Sequence, residues 1–459
     1  MSGATMPVAG TPKMPLVIVA LATLLALVVF TAPLTTLDAM TATLGLGAGE
    51  QAWVMSGMPL GAACGLLTAG AFGDTLGRRR TFVGGLWLTA AASVGAALAG
   101  NGPLLIVMRV VQGLGSAGIM ACGLGLLGQI YDGEARRHAA AIWAASLGAG
   151  VAAGPILASG LLSLSGWAAI HVLIAPVSAL LALLAAARLP ESPRAGQRVD
   201  LPGSALLIVG MSALMSALVE LRVGSSGMVT GLIALAVLFL ALFVWFERRS
   251  ANPILELRLF GNAAFVAATL AAFASGAGVL ALMSMVPTVL VRGLGLSPLA
   301  AAVVILAWSG VTVVAALCAR FLPAWWSSRG RVIWSIFGCA IGQALLIAAD
   351  ADSGWAIVLP GLLVAGVSNG ILNASLGHEA VQTVPLERTA MGSAANNTAR
   401  YLGSALGISL ISVLIAGTGS AGFFQGWHQA VIATSAVSLL GVVAMLLLSR
   451  GGGDGALPG

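Results

Sequence analysis

The segment Gly70-Ala71-Phe72-Gly73-Asp74-Thr75-Leu76-Gly77-Arg78-Arg79-Arg80 is turn-forming and strongly basic, in a chain where only 8% of residues are charged. Glycines let a chain reverse tightly, and arginine heads stay out of hydrocarbon. The apolar runs on either side, 51–72 and 81–100, are each long enough to cross a membrane as a helix. The segment therefore reads as a short cytoplasmic loop between two membrane helices, with Asp74 positioned to organise the arginines.

The rest of the chain agrees with that reading. Hydrophobic residues make up 59% of the 459 positions and the mean hydropathy is +1.03, well above what the polar surface of a soluble domain permits. The apolar runs do not alternate as barrel strands do, so the fold class is an all-α polytopic membrane protein. Spans are expected at 15–37, 51–72, 81–100, 103–125, 138–162, 168–187 and 203–221. Seven more are expected at 228–247, 263–290, 298–320, 331–349, 355–377, 392–416 and 428–449, giving fourteen. The first run is too long for the apolar core of a signal peptide and should remain as helix one.

Basic residues fix the expected orientation, because lysine and arginine are retained in cytoplasmic loops. Arg78 to Arg80, Arg136 and Arg137, Arg188, Arg194 and Arg198, Arg248, Arg249 and Arg258, Arg329 and Arg331, and Arg388 fall in even-to-odd connections, with Lys13 and Arg450 at the ends. The opposite loops carry Arg222 and Arg292 among Asp38, Glu50, Asp350 and Asp352. Both termini are expected in the cytoplasm of a cell with an inner membrane, the alanine and glycine content pointing to a bacterium. The net charge of +6 follows from this topology, so no nucleic-acid partner is expected. Cys64, Cys122, Cys318 and Cys339 lie in apolar spans without metal-like spacing and read as packing residues. Trp53, Trp167, Trp355 and Trp427 near outer ends, with Trp245, Trp325, Trp326 and Trp334 near inner ends, fit interfacial belts.

Polar connections divide the chain into a cytoplasmic tail (1–14), six helices (15–187), a linker (188–202), two helices (203–247), a second linker (248–262), six helices (263–449) and a tail (450–459). The stretch from Arg320 to Arg331, ending Arg329-Gly330-Arg331, stands in the second six as the basic loop stands in the first. Two related halves imply a path along their interface and a site near mid-membrane.

With those features in place, the chain resembles the major facilitator superfamily, and its layout looks like the fourteen-helix drug:proton antiporter branch with two inserted helices. Gly70, Asp74, Gly77, Arg78 and Arg79 match that superfamily's loop motif, with Thr75 replacing a basic residue; the resemblance implies a gate latch there. The run Arg109-Val110-Val111-Gln112-Gly113 resembles the Arg-x-x-Gln-Gly signature and implies a role for Arg109 and Gln112 in proton coupling or substrate contact. Its guanidinium lies roughly 9 Å inside the helix's outer end, a depth that demands a wet cavity or a partner. Gly150, Gly154 and Pro155 are similar to the antiporter motif of helix five, with Ala158 and Ser159 where glycines are expected. Small residues at every fourth position let a neighbouring helix approach closely. The dense polar run of Asn396, Asn397, Arg400 and Tyr401 looks like helix thirteen of that branch, and Asn396 and Arg400 share one face. Asn369 and Asn373 share a face of helix twelve. The asparagines of both helices read either as cavity lining or as interhelical hydrogen bonding.

The resemblance fails in helix one. The branch usually carries an aspartate eight or nine residues before a proline, and the stretch from Leu24 to Pro33 has none. Asp38 is the candidate replacement, facing Arg109. Glu220, Glu379, His171 and His428 read as solvated helix-end residues.

The expected function is export of small organic or drug-like amphiphiles by proton antiport, the two halves rocking around a cavity lined by Arg109, Gln112, Asn369, Asn373, Asn396, Asn397 and Arg400. Two buried arginines without central acids suit neutral or anionic substrates better than cations. The alternatives are a metabolite uniporter or symporter of the same fold, or a non-transporting sensor or scaffold. The partners implied are a small molecule, protons and the lipid bilayer, with the chain acting as a monomer. No cofactor, metal or nucleotide-binding element is implied, and no nucleophile-base pair marks an enzyme.

Overall fold

The computed structural model describes residues 13–192, 200–220, 226–250, 253, 257–323, 325–384, 389–415 and 419–448. The N-terminal tail up to residue 12, most of the first linker with Arg194 and Arg198, and the positions of Arg222, Arg388 and Arg450 lie outside these residues. Helices account for all regular structure among them.

The first apolar run does not form one helix. Pro33 has no N–H to continue the ladder, so α1 (Lys13–Thr31) stops at Ala32 and α2 (Pro33–Leu44) restarts there. Next come α3 (Ala48–Leu76) and α4 (Arg78–Ala97), which leave Gly77 alone between them. The expected loop is therefore helical on both sides of one residue. Gly77 sits at φ 111°, a conformation that favours glycine, and a Cβ there would displace the Glu191 carboxylate, whose Oε1 would lie 2.4 Å away.

The helices α5 (Gly102–Ile130), α6 (Gly133–Ser165) and α7 (Ala169–Arg188) follow, then α8 (Leu201–Glu220) and α9 (Ser226–Glu247). The expected span 263–290 is interrupted: α10 (Ala263–Ala274) and α11 (Ala281–Thr288) are separated by a π-helical turn, Ser275–Leu280, and a second π turn follows at Val289–Gly293. Gly276 lies in the first of these, against the backbone of Arg400. The chain ends with α12 (Pro298–Cys318), α13 (Ser328–Leu345), α14 (Leu359–Gln382), α15 (Thr389–Leu414) and α16 (Gly419–Leu447).

Among the described residues, eleven helices are long and apolar enough to cross a membrane. Two further long helices fall outside that set for local reasons: α4 opens on three arginines, and α15 carries Asn396, Asn397 and Arg400. Protein neighbours shield both, since α4 packs on α5 and α7 while α15 packs on α3 and α10.

Helices α1 to α7 pack mainly on one another, as do α10 to α16, and the two groups meet where α3 lies along α15 and α6 along α12. The pair α8 and α9 reaches the bundle through α8, which touches α3, while α9 leaves most of its apolar surface exposed, as a lipid-facing helix would. Gly150 and Gly154 act where α6 meets α1. A Cβ at Gly150 would stand 2.4 Å from Leu24 O, so only bare backbone permits this packing. Cys64, Cys122 and Cys339 are buried, and Cys318 is exposed. Trp167 and Trp427 are not belt residues: both are buried, and Trp427 Nε1 donates to Leu346 O at 3.0 Å. Trp245, Trp325, Trp334 and Trp355 are exposed as expected.

Candidate functional site

Pro33 shapes the first element of the site. In a continuous helix residue 33 would donate to Val29 O; here that carbonyl is open, and Arg109 Nη1 on α5 donates to it at 2.6 Å. Arg109 also donates to Phe30 O (3.3 Å), Val54 O (3.2 Å) and Gln112 Oε1 (3.1 Å). Each bond to a charged group is worth about 1.5–3 kcal/mol. Together they outweigh the roughly 3 kcal/mol that insertion scales assign to an arginine at mid-membrane.

Gln112 extends the network. Its Nε2 donates to Ser93 Oγ at 2.9 Å and stands 3.3 Å from His171 Nδ1. His171 was expected near the outer surface but is wholly buried, with Nε2 unbonded and Trp167 edge-on to its ring. Arg109 and Gln112 are equally sealed, at 0% exposure, and so do not line a cavity as expected. Nor does Asp38 face Arg109. It accepts from Arg292 Nε at 2.6 Å and pairs with Arg292 Nη2, while Gln51 Oε1 accepts from Arg292 at 3.1 Å. Arg292 follows α11, so this cluster ties the two helix groups together at the end remote from Arg78.

At the basic end, Asp74 accepts from Arg78 Nη2 at 3.1 Å, and Arg78 Nη1 donates to Gly125 O at 3.3 Å. The amino end of α4 is not held by Asp74. Glu191, which follows α7, accepts from the Arg79 N–H at 3.0 Å and lies 3.5 Å from Arg79 Nε and 3.7 Å from Arg80 Nε. Ser192 Oγ accepts from the Arg78 N–H at 2.8 Å. A carboxylate at a helix amino end meets both unpaired N–H groups and the positive end of the dipole. Glu191 and His171 are the residues that sequence reasoning did not select.

Between the helix groups lies a cavity of about 360 Å³, bordered at its wide end by Arg78, Gln129 and Arg136 and deeper by Asn373, Asn397 and Arg400. An inner recess of about 40 Å³ continues it, sharing those last three residues and adding Asn369, Thr312 and Trp308. The wide end is on the side of Arg78, and the Asp38–Arg292 cluster is on the other. Asn369, Asn373, Asn397 and Arg400 are thus brought together. Asn396 borders the wider part but spends its Nδ2 on Ala268 O at 3.0 Å, joining α15 to α10. Tyr401 Oη donates to Met120 Sδ at 3.1 Å across the cavity wall. Pro155 O accepts from Thr35 Oγ1 at 3.2 Å, and Ser159 Oγ lies 3.2 Å from Pro298 O in the other group. Of the helix-end acids, Glu220 accepts from Trp53 Nε1 at 3.4 Å. His428 Nε2 stands 3.0 Å from Ala349 O, half-buried. No group of metal ligands occurs among the described residues.

Residues 19–408 match the family model described as Major Facilitator Superfamily. The chain is 30% identical over 376 residues to the multidrug efflux pump LfrA of Mycolicibacterium smegmatis, covering 80% of this chain and 73% of that one. It is 27% identical over 452 residues to the methylenomycin A resistance protein of Bacillus subtilis, covering 96% and 95%. Among solved structures, the D-xylose-proton symporter superposes with a TM-score of 0.69 over 95% of this chain and 96% of that one, at 15% identity. That last likeness is one of fold.

Proposed function

Because this chain belongs to the major facilitator superfamily, and is thus a multi-pass membrane transport protein and not an enzyme, we propose that it exports small organic, drug-like amphiphiles by proton antiport. The chain crosses the cell membrane fourteen times as a monomer, with both termini in the cytoplasm. Residues 15–187 and 263–449 form the halves that rock, and 203–247 the inserted pair. The efflux and resistance roles named for its relatives support the direction of transport.

The observation that carries the proposal is the cavity between the helix groups, wide at the basic side and closed at the other by Asp38 and Arg292. With the basic loops in the cytoplasm, this is the inward-open state, the one in which an exporter loads. Asp74, Arg78, Arg79 and Glu191 form the inner latch, and breaking the Asp38–Arg292 tie opens the outer side. Gly150, Gly154 and Pro155 set the close packing of α6 on α1.

Proton exchange needs a group that gains a proton in one state and loses it in another. Asp38, bound to Arg292 at the rim, suits gating better. His171 is the candidate for the proton step on geometry: its ring can take up and release a proton, its Nε2 is buried without a partner among the described residues, and Gln112 links it to Arg109. Cells producing the chain should accumulate less of a fluorescent amphiphile such as Hoechst 33342 or dansyl-phenylalanine than cells with an empty vector, and Arg109→Ala should restore accumulation. Equal accumulation of a panel of such dyes in all three strains would refute export.

A further inference from the structure

The two arginines inside α5 and α15 are treated oppositely. Arg109 gives its N–H groups to four acceptors. Arg400, inside the cavity, makes no hydrogen bond and no ion pair among the described residues, and its Nε is closed from solvent and unbonded. The nearest polar side chains offer no charge to balance it. Tyr401 Oη is committed to Met120, and Cys339 is buried beside Ala365 O. In the same recess Trp308 Nε1 is buried without an acceptor, and Asn369 Oδ1 and Asn373 Oδ1 are buried without donors.

Among the described residues no carboxylate lines either part of the cavity, whereas Arg136 and the Asp74-paired Arg78 border its mouth and Arg400 its depth. An unpaired guanidinium in a low-dielectric wall is costly unless an acceptor or an anion meets it. A cavity lined by one sign of charge also concentrates ligands of the other. The remaining wall is apolar: Phe30, Met120 and Leu147 face the same space.

We propose that the ligand of this cavity is an amphiphilic organic anion, a small acid whose carboxylate pairs with Arg400. Trp308 Nε1 supplies a second donor, a hydroxyl or N–H on the ligand donates to Asn369 or Asn373, and the apolar body lies against Phe30, Met120 and Leu147. This names the substrate class for the cavity and rests on its being the transport site. A cation of the same shape is disfavoured, since it would meet the unpaired Arg400.

The test is thermal stabilisation of the purified full chain by matched sets of ligands: carboxylic acids on naphthyl, biphenyl and octyl bodies, with the primary amide and primary amine of each. At least one acid should bind about tenfold or more tightly than its amide, the amines should not bind, and Arg400→Gln should erase the difference. Arg400→Lys, which keeps the charge without the planar fork, should retain part of it. Amides or amines that bind as well as the acids, acids that bind in no set, or a preference unchanged in Arg400→Gln would overturn the proposal. Export is measured separately, as release of dansyl-phenylalanine and of its neutral amide from loaded proteoliposomes. Gradient-coupled release without acid preference would leave transport standing and this inference refuted. Acid binding without release of either dye or of any acid would do the reverse.

Discussion

Arg109 donates to the carbonyl oxygen of Val29 at 2.6 Å, and Pro33 is the reason that oxygen is open. A break in α1 and a buried charge on α5 are therefore one feature, in which backbone acceptors stand where a carboxylate is absent. Unlike a carboxylate, these acceptors cannot be protonated away. The contact is thus suited to holding geometry, and the proposed antiport places the proton elsewhere.

Two substitutions separate the parts of that contact. Arg109→Lys keeps the charge but cannot span acceptors on both α1 and α3, so efflux should fall about tenfold or more, the equivalent of one to two charge-assisted bonds. Pro33→Ala supplies an N–H that competes for Val29 O. It should raise the unfolding temperature, measured by thermal melting in detergent, while lowering the efflux rate.

Gly77 and Glu191 should couple. Gly77→Ala forces an alanine into φ 111° and against Glu191 Oε1, costing about 1–3 kcal/mol in backbone strain plus the clash. Glu191→Ala alone loses half-exposed ion pairs and a cap, about 1–2 kcal/mol. In the double variant the clash disappears, so its loss of stability in a melting experiment should be smaller than the sum of the singles.

The Asp38–Arg292 tie should set the balance between outer-closed and outer-open states. Both side chains are partly exposed, so the pair is worth no more than about 1 kcal/mol, and Arg292→Gln should raise the open population by up to about fivefold. A cysteine at Leu37, now 8% exposed, reports this opening in a background lacking Cys318. Its labelling rate should rise in Arg292→Gln and, in the parent, with ionic strength.

Local residues made some of this legible in the sequence. Arg109 and Gln112 are three apart on one helix face, so their pairing follows from spacing, and the polar face of α15 announced Arg400. Apolar runs located most helices, though Pro33 signalled a break in the first that run length concealed. Glu191 was hidden because its partners lie more than a hundred positions earlier in the chain. The signal was an acid immediately after a span, facing a helix start that lacked one. His171 looked solvated because it is the third residue of α7, yet Trp167 and the Gln112 side chain cover it. The opposite treatment of the two arginines is a tertiary fact with no local signature.

Proton exchange is tested most directly in proteoliposomes loaded with a fluorescent substrate, with the external pH stepped down against a buffered interior. Efflux should accelerate when the outside is made acid and slow when the gradient is collapsed. His171→Asn should keep passive exchange but lose this dependence on the gradient. Efflux by the parent chain at the same rate with and without the gradient would contradict antiport, and an undiminished gradient response in His171→Asn would remove that imidazole from the proton path.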